Sequence, residues 1–318
     1  MGEVEVISPP RLFGVLPTFK RPQHLAETLE RVAKQSRRLD GLIIVDNSPS
    51  ALTKAVVDDF ASHPTVVRYE PSPENLGFCG GVALGMTRVL ETASDRDWIV
   101  VFDDDDPLPW DSVFEELLSF GEKMMRRDPK TSAVGLVGAR FDWKRGGLVR
   151  VRDEELKGPV PVDFIGGNHF PFYRVGALRQ AGVFSREIFF GLSEIEHGLR
   201  LRKAGFSVYA HGDLWRRRRS EDGRLELDLK PSRKLGQVNW RRYYSLRNVI
   251  YILRRHGRIG AALRVTLVKG LGKPLANLPF EPRVALRHMS LNVRACRDGW
   301  MGRMGRTLEP DGLARPES

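Results

Sequence analysis

The sequence predicts an α/β protein built on a doubly wound, mostly parallel sheet. In its first half, short apolar segments suited to buried strands alternate with longer segments of helical periodicity. Four strands are predicted, over residues 11–17, 42–45, 66–69 and 98–102. In open parallel sheets ligands bind beyond the carboxyl ends of the strands. The residues that follow the strands are therefore the first candidates for a functional site.

The remaining elements are predicted from periodicity and end signals. Pro22 suits the start of a helix over 23–35, and a glycine-rich stretch at 75–81 leads into a helical pattern through Leu90. The second half is less regular, with helices expected over 111–127 and 193–204, strands expected over 134–140 and 162–165, and helical, arginine-rich sequence from Ser232. Ser193 is the expected N-cap of its helix. Gly299 onwards is expected to be a frayed tail.

Composition indicates a globular protein of one large or two smaller domains. The chain has 318 residues and no apolar run that approaches the ~18 residues of a membrane span, and its start lacks a secretory signal pattern. We therefore expect a cytoplasmic protein. Cys79 and Cys296 lie far apart and form neither a disulfide framework nor a metal-spacing motif, so both are expected to be packing residues.

The run Asp103-Asp104-Asp105-Asp106 follows the fourth strand directly. Four adjacent carboxylates repel one another unless a cation neutralises them, and hard divalent ions such as Mg²⁺ or Mn²⁺ prefer carboxylate oxygens. The alternative is a solvated acidic turn closed by Pro107. Pro17-Thr18 and Asp46 end two other strands, so three polar signals converge on one edge of the sheet. That convergence favours a metal site.

With these motifs in place, the chain resembles family 2 glycosyltransferases of the GT-A fold, especially bacterial galactofuranosyl- and rhamnosyl-transferases. The resemblance runs from Phe13 to Gly257. Its parts are Pro17-Thr18, Val45-Asp46-Asn47, the segment 75–85, Phe102-Asp-Asp-Asp105, Gly166-Gly167-Asn168, Glu194-Ile-Glu196-His-Gly-Leu-Arg200 and Tyr244-Ser-Leu-Arg-Asn248. It implies a GT-A sheet of Rossmann type flanked by helices, with a basic helical C-terminal extension. The implied boundaries are a catalytic domain at 1–230, divided into a nucleotide-sugar half at 11–107 and an acceptor half at 108–230, and a helical region at 231–318.

The resemblance also implies donor-binding roles. Asp103, Asp104 and Asp105 match the aspartates that hold a divalent metal on the donor diphosphate; because Asp106 is an extra acid, which of the four touch metal stays open. Asp46 matches the nucleoside-binding aspartate, although an Asx-turn with Asn47 and Ser48 is an alternative. Further donor contacts are implied for Pro17, Thr18, Asn75, Gly77 and Gly81. Gly167 and Asn168 are candidates for close backbone approach, or an ordinary turn.

The catalytic base of an inverting transfer is expected in the acidic pair that opens the helix at 193. Glu194 is the first choice and Glu196 the second, and Ser193 stands where relatives often have aspartate. Residues two positions apart on a helix point about 200° apart, so Glu194 and Glu196 cannot both face the acceptor. We therefore expect Glu196 to pair with an arginine or cap the helix. Many members of the family have a histidine metal ligand a little beyond this helix. His211 and Arg216 are the candidates for that place, with a core-satisfied histidine as the alternative.

The implied function is inverting, metal-dependent transfer of a sugar from UDP or dTDP to a saccharide or polyprenyl-linked acceptor. Rhamnose and galactofuranose are the candidate sugars, and the product would belong to cell-envelope glycan synthesis. A non-catalytic nucleotide-sugar-binding regulator or scaffold is the alternative. A nucleotidyltransferase is disfavoured because no glycine-rich, lysine-bearing phosphate loop follows the first strand.

Charge is unevenly distributed along the chain. The net charge is +11, yet residues 216–306 alone carry 23 Lys and Arg against 6 Asp and Glu. No nucleic-acid-binding motif is present. The segment 259–269 mixes apolar and basic residues as a helix on an anionic membrane surface does, so peripheral attachment to the inner face of the cell membrane is one interpretation. An amphipathic helix packed on the catalytic domain is the other.

Overall fold

The structure, a computed structural model, describes residues 9–105, 108–225 and 239–309. The helices and strands are numbered in chain order. The strands are β1 (Leu12–Thr18), β2 (Gly41–Asp46), β3 (Val66–Pro71), β4 (Trp98–Val101), β5 (Thr131–Gly135), β6 (Gly138–Asp142), β7 (Gly147–Val149), β8 (Pro159–Val162), β9 (Phe164–Ile165), β10 (Phe172–Arg174) and β11 (Ser207–His211). The helices are α1 (Pro22–Ala33), α2 (Ala51–Phe60), α3 (Gly77–Leu90), α4 (Val113–Arg127), α5 (Val175–Ala181), α6 (Ser193–Lys203), α7 (Gly212–Glu221), α8 (Trp240–Arg255), α9 (Ile259–Val265), α10 (Lys273–Asn277) and α11 (Pro282–Met301).

A mostly parallel sheet of eight strands forms the centre of the protein, as predicted. Its order is β3-β2-β1-β4-β10-β5-β11-β8. Strands β1, β2, β3 and β4 run parallel, whereas β10 is antiparallel to both of its neighbours and β8 is antiparallel to β11. The register pairs Thr18 with Asp46, so these two residues end their strands at the same edge. The acidic run follows β4 at that edge.

Both faces of the sheet are covered, since its central strands β1, β2 and β4 are mostly apolar and buried at every position. All seven residues of β1 are buried. Alternate residues point to opposite faces: Val15 joins a core cluster with Val82 of α3, and Leu16 joins a second cluster with Leu25 of α1 and Phe114 of α4. This double covering holds the strand ends in a rigid frame.

The C-terminal helices are fused to the second half of the chain through a third core cluster. Ile250 of α8 and Ala295 of α11 are buried there together with Phe189 and Ile195, which lie beside the start of α6. A π-helix over Thr266–Gly272 connects α9 to α10. None of the described helices has the length and apolar character that crossing a membrane requires. The predicted domain boundary at 230–231, and residues 232–238 of the predicted helical region, lie outside the described residues.

Two of the predicted strands are wrong in extent. The segment 134–140 is two strands in different sheets, because β5 belongs to the central sheet and β6 to a small antiparallel sheet of order β7-β6-β9. At Gly138 a Cβ would meet the Phe164 carbonyl at 2.8 Å, so the glycine allows the chain to cross closely between the sheets. The segment 162–165 is likewise divided at Asp163, whose carboxylate accepts a hydrogen bond from the Phe141 amide at 2.7 Å.

The prediction of a frayed tail from Gly299 is also wrong for the described part of that segment, while residues 310–318 lie outside the described residues. Gly299 lies inside α11, where a Cβ would come within 2.7 Å of the Arg247 carbonyl. Beyond the helix, Thr307 is 2.7 Å from the Tyr243 hydroxyl, and the Tyr244 hydroxyl donates to the Leu308 carbonyl at 2.7 Å. The chain up to residue 309 is therefore bonded to α8.

Candidate functional site

A cleft of about 350 Å³ lies at the edge of the sheet where β1, β2 and β4 end. It brings together residues from distant parts of the sequence. Its lining is Pro17, Thr18, Phe19, Arg21, Asn47, Asn75, Gly77, Phe78, Asp103, Asp104, Asp105, Asn168, Phe189, Phe190, Trp240 and Arg241. The cleft thus unites eight of the predicted site residues with several that the sequence analysis did not identify.

The acidic cluster Asp103, Asp104 and Asp105 has carboxylate oxygens that all lie within 4.8 Å of one another. Asp104 is buried and accepts a hydrogen bond of 2.6 Å from the Thr18 hydroxyl, while its backbone carbonyl accepts one of 3.0 Å from Thr28 on α1. Asp105 is exposed. Asp106 lies outside the described residues. The cluster is held from β1 and α1, so its shape does not depend on a solvated turn.

The electrostatics of this cluster are those of a cation site. Burial, with the nearby charges of Asp104 and Asp105, raises the pKa of Asp103 to about 7. The guanidinium of Arg21 neutralises part of the charge, with a contact of 3.3 Å to Asp104 and a closer one to Asp105. Three converging carboxylates are hard oxygen donors, which suit Mg²⁺ or Mn²⁺. The donor set present therefore fits the predicted metal.

Asp46 is fully buried at the end of β2, and both of its carboxylate oxygens have partners within the protein. One accepts from the Ser48 amide at 2.9 Å, which forms the Asx-turn considered above, and the other accepts from the Tyr69 hydroxyl at 2.8 Å. The neighbouring residue, Asn47, lines the cleft. A nucleoside contact by Asp46 stays a prediction.

Two predicted glycines pack the start of α3 against the cleft. Gly77 has φ +69°, and a Cβ there would meet the Phe189 carbonyl at 2.1 Å. Gly81 has a similar role on the other side, since a Cβ would lie 3.0 Å from both Asn47 and Pro17. Asn75 accepts a hydrogen bond of 2.9 Å from the Gly77 amide. The glycines allow α3 to contact neighbouring backbone and side chains closely.

Glu194 lies in the first turn of α6 and is not among the residues that line the cleft, but it contacts Gly167, the residue before the lining residue Asn168. Its carboxylate accepts a hydrogen bond of 2.9 Å from the Ser193 hydroxyl and lies against Gly167. Burial raises the pKa of Glu194 above the ordinary 4.5, although hydrogen bonds from its own amide and from Ser193 oppose the shift. Ser193 is the first residue of the helix and Leu192 is the N-cap, so the predicted cap is wrong by one position. The left-handed backbone of Leu192 (φ +63°) shifts the start of the helix.

Glu196 points to a different environment from Glu194, as predicted. It is buried, and its carboxylate lies 3.1 Å from Arg200 Nε. Arg200 also donates to the carbonyls of Gly182 and Val183, at 3.1 and 2.7 Å. The pair ties α6 to the loop after α5.

The segment Tyr244–Asn248 holds the loop that precedes Glu194. The Asn248 side-chain amide donates to the carbonyls of Phe190 and Gly191, both at 2.8 Å. Arg247 is fully buried and donates to the Gly305 carbonyl at 2.7 Å. This motif therefore belongs to the site through the position it imposes on residues 189–192, which we term the base loop.

The two candidates for a histidine-type ligand lie elsewhere. His211 is the N-cap of α7, where its Nδ1 accepts from the Leu214 amide at 3.4 Å, and its ring packs 4.5 Å from that of Phe120. Arg216 donates to the Asp153 carbonyl at 3.2 Å. Neither lines the cleft in the part of the chain that the structure describes.

Sequence reasoning missed Arg21, Tyr69, Phe190, Trp240 and Arg241. Tyr69 bonds Asp46, while the others line the cleft. Phe190 and Trp240 form an edge-to-face pair with ring centroids 4.6 Å apart, and Arg241 lies over both rings. Only Arg21 had a usable signal, since a basic residue at the end of β1 is the natural partner of an acidic run at the end of a neighbouring strand.

Part of the chain is similar to known glycosyltransferases. Residues 15–150 match the model of the family described as glycosyl transferase family 2. Galactofuranosyltransferase GlfT1 of Mycobacterium tuberculosis (strain ATCC 25618 / H37Rv) is 30% identical over 201 residues, which are 61% of this chain and 65% of that protein. GlfT1 of Mycolicibacterium smegmatis is 38% identical over 107 residues, 33% of each chain. The chain thus spans less than two thirds of the length of these relatives.

Solved structures share the fold. The mannosyltransferase PcManGT of Pyrobaculum calidifontis, in complex with GDP-Man and Mn²⁺, aligns with a TM-score of 0.52 at 14% identity over 93% of this chain and 89% of that one. GalNAc-T7 with UDP, GalNAc and Mn²⁺ aligns with a TM-score of 0.51 at 11% identity over 65% and 43%. The fold is GT-A, and residues 15–150, which make up less than half of the chain, match glycosyl transferase family 2.

Proposed function

We propose that this protein is an inverting, metal-dependent glycosyltransferase that moves galactofuranose from a uridine diphosphate donor to a saccharide or polyprenyl-linked acceptor in cell-envelope glycan synthesis. One observation carries the proposal: the Asp103–Asp105 cluster, the glycine-containing start of α3 and the base loop before Glu194 line or adjoin one cleft. Residues 11–107 supply its donor side and residues 108–230 its acceptor side. Galactofuranose is preferred to rhamnose because the curated relatives are galactofuranosyltransferases.

In this proposal, Asp103, Asp104 and Asp105 hold the divalent ion. When bound, Mg²⁺ or Mn²⁺ supplies positive charge to the departing diphosphate. Thr18 and Asn47, at the ends of β1 and β2, and Asn75, just before α3, contact the nucleotide. Gly77 and Phe78 at the start of α3 line the same cleft, and helix N-termini favour anions.

Glu194 is the proposed general base. It removes the proton from the acceptor hydroxyl as that oxygen attacks the anomeric carbon on the face opposite the leaving diphosphate. Burial supports this role, because a carboxylate with a raised pKa takes a proton more readily than one in water. The position at the N-terminus of α6 keeps enough of it ionised to act. Glu196 is engaged by Arg200 and has a structural role.

Two successive experiments test the function: donor binding is measured first and donor hydrolysis second. Thermal-shift measurements against UDP-, dTDP- and GDP-sugars should single out UDP-galactofuranose, because a ligand that binds the native state stabilises it by RT ln(1 + [L]/Kd). Hydrolysis of that donor should then require Mn²⁺ or Mg²⁺. A protein that binds a nucleotide sugar but never turns it over, with metal and with candidate glycoside acceptors present, would instead be the regulator or scaffold considered above.

We further propose peripheral attachment to an anionic membrane through the C-terminal helices. Of the fifteen large apolar side chains that are exposed in the described residues, ten lie between Ile259 and Met301. Ile259, Leu263 and Leu267 follow one another at four-residue intervals, and Phe280 is 81% exposed. Basic residues lie among them in the sequence, including Arg258, Arg264, Lys273, Arg283 and Arg287. An apolar surface with a basic border suits the inner face of a membrane, where anionic lipids concentrate.

A further inference from the structure

We propose that Arg21 is an internal counter-cation that competes with the divalent metal for Asp104 and Asp105 and, once displaced, binds the donor diphosphate. This inference rests on the proposed function, since it assumes a metal and a nucleoside diphosphate in the cleft. In this proposal Arg21 couples the binding of the metal to the binding of the diphosphate. Metal alone must displace the guanidinium, whereas metal with a diphosphate provides it with a new partner.

The local backbone directs Arg21 into the acidic cluster. Lys20 has a left-handed backbone (φ +57°), and Arg21 is the N-cap residue of α1 with Pro22 at the first helical position. The chain therefore turns sharply between β1 and α1. In a non-glycine residue such a conformation costs free energy and persists only where the surroundings impose it. Here it brings the guanidinium to 3.3 Å from Asp104, and closer to Asp105.

The contacts of Arg21 are those of a cation that can be displaced. Its side chain is 40% exposed and so is that of Asp105, whereas Asp104 is 3% exposed and is also held by Thr18. A partly exposed ion pair is weak because water competes for both groups. A divalent ion carries twice the charge and coordinates several oxygens at once. Arg21 also lines the cleft, so after displacement its guanidinium stays within the donor site.

The single positive charge of Arg21 accounts both for its competition with the metal and for the coupling of metal binding to diphosphate binding. In the free protein, Arg21 lowers the apparent affinity for metal, because bound metal and the Arg21–Asp contacts exclude each other. With a diphosphate present, the displaced guanidinium gains phosphate oxygens, for which arginine geometry is well suited. Diphosphate therefore strengthens metal binding by more than its direct contact with the metal. By linkage, metal strengthens diphosphate binding by the same factor.

The test measures Mn²⁺ binding by calorimetry and by the paramagnetic resonance signal of free Mn²⁺, without nucleotide and with saturating UDP. For Arg21→Met we expect Mn²⁺ without UDP to bind about three- to tenfold more tightly than in the wild type, as removal of a competing ion pair of ~1 kcal/mol implies. The factor by which UDP strengthens Mn²⁺ binding should fall about threefold or more. Arg21→Lys keeps the charge but not the guanidinium geometry, so Mn²⁺ binding without UDP should stay close to the wild type, while the coupling factor should lie between those of the wild type and Arg21→Met.

Arg11 offers a matched control at the opposite edge of the sheet. Its guanidinium is 45% exposed and pairs at 2.8 Å with Asp97, which is 4% exposed, so it resembles the Arg21–Asp104 pair in burial. Arg11→Met should leave Mn²⁺ and UDP binding within about twofold of the wild type. Arg21→Gln provides a second neutral variant if Arg21→Met does not give a cooperative thermal transition.

The results separate this inference from the proposed function. Mn²⁺ affinity in Arg21→Met equal to or below that of the wild type would overturn the counter-cation role, and so would an unchanged coupling factor. In both cases wild-type binding of Mn²⁺ and UDP would leave the proposed function standing. A wild type that binds neither Mn²⁺ nor UDP would remove both proposals together.

Discussion

The carboxylate of Glu194 lies directly against the backbone of Gly167, at a distance that leaves no room for a side chain. A Cβ at position 167 would meet Oε1 at 2.3 Å and the carboxyl carbon at 3.3 Å. The two residues come from different elements, since Gly167 begins a short 3₁₀ helix and Glu194 opens α6. The glycine that resembles a family motif therefore has a specific physical role: it makes space for the proposed base.

Gly167→Ala should displace the base while leaving the donor site intact. We expect kcat to fall about tenfold or more, because small misplacements of a reacting group are costly, and UDP affinity to stay within about twofold. Gly260→Ala is the control, since a Cβ there has no neighbour within 4 Å. Steady-state kinetics with a UDP-binding assay measure both effects. Full activity in Gly167→Ala would mean that Glu194 need not occupy the position described.

Asn248→Ala should loosen the base loop. The substitution removes two 2.8 Å hydrogen bonds to the carbonyls of Phe190 and Gly191 and leaves those acceptors without this donor. Loss of stability of about 1–3 kcal/mol is the typical result, measurable as a lower urea midpoint, and kcat should fall with it. Asn277→Ala, which loses one local helical bond of 2.9 Å to Lys273, serves as the control. Equal effects in the two variants would contradict a special role for Asn248.

Glu194→Gln should lower activity and raise stability. A general base typically contributes ~10² to 10⁴ in rate, so kcat should fall by that range with UDP affinity retained. Because burial raises the pKa of Glu194 above 4.5, the folded state binds its proton more readily than the unfolded state. Between the two pKa values stability therefore falls as pH rises, and above both the charged carboxylate is destabilising.

The pH dependence gives this prediction its distinguishing measurement. The stability gain of Glu194→Gln should be largest above the raised pKa and should fade as pH falls below 4.5, where the wild-type carboxyl becomes protonated in both states. The acid limb of kcat/KM in the wild type should lie above the ordinary carboxyl range. Glu196→Gln is the contrasting variant, since it loses its 3.1 Å contact with Arg200 and should be less stable at neutral pH. A destabilised Glu194→Gln would refute the burial argument.

Asp105→Asn should remove metal-dependent activity without harming the fold. Asp105 is exposed, while Asp104 is buried and bonded to Thr18, so substitution at 105 removes a ligand and little packing. We expect turnover with Mn²⁺ to be lost and the thermal midpoint to stay within a few degrees of the wild type. Excess chelator should abolish wild-type activity in the same assay. Persistent activity in chelator would argue against a metal requirement.

The sequence was most informative where local pattern and tertiary role coincide. The strand ends at Thr18, Asp46 and Asp103 were predictable because parallel strands bring their carboxyl ends to one edge. Gly138 and Asp163 carry no such signal. Each lies within a stretch that otherwise resembles one continuous apolar strand, and the strand is divided there only because the second sheet packs at that point. Strand β10 was not predicted because its three residues are too few for periodicity to register.

The sequence predicted several residues of the cleft but few of its contacts. Pro17, Thr18, Asn75 and Asn168 line the cleft, while their roles in binding a donor or acceptor stay predictions. Trp240 and Arg241 could not be predicted, since their place depends on how α8 docks on the base loop. The pairing of Arg21 with Asp104 joins residues 83 positions apart, so its signal can be used only once β1 and β4 are placed side by side.

Membrane attachment leads to a prediction about salt and about two apolar side chains. If the basic surface of the C-terminal helices docks on lipid, binding to phosphatidylglycerol vesicles should weaken steeply with added salt, because surface charges are screened within about 8 Å at 0.15 M. Vesicles of neutral phosphatidylcholine should bind far less. Sedimentation of the full chain with each vesicle measures both.

The apolar side chains make the prediction specific to this surface. Leu267 is 60% exposed at the end of the apolar row, and Phe280 is 81% exposed in the turn before α11. Insertion of one large apolar side chain contributes about 1.5–3 kcal/mol, so Leu267→Ser and Phe280→Ser should each weaken vesicle binding about tenfold or more. Leu52→Ser on α2 removes a leucine that is 67% exposed and lies on a different helix, so it should bind as the wild type does. Equal loss in all three variants, or equal binding to neutral and anionic vesicles, would mean that the exposed apolar row serves contacts other than a membrane.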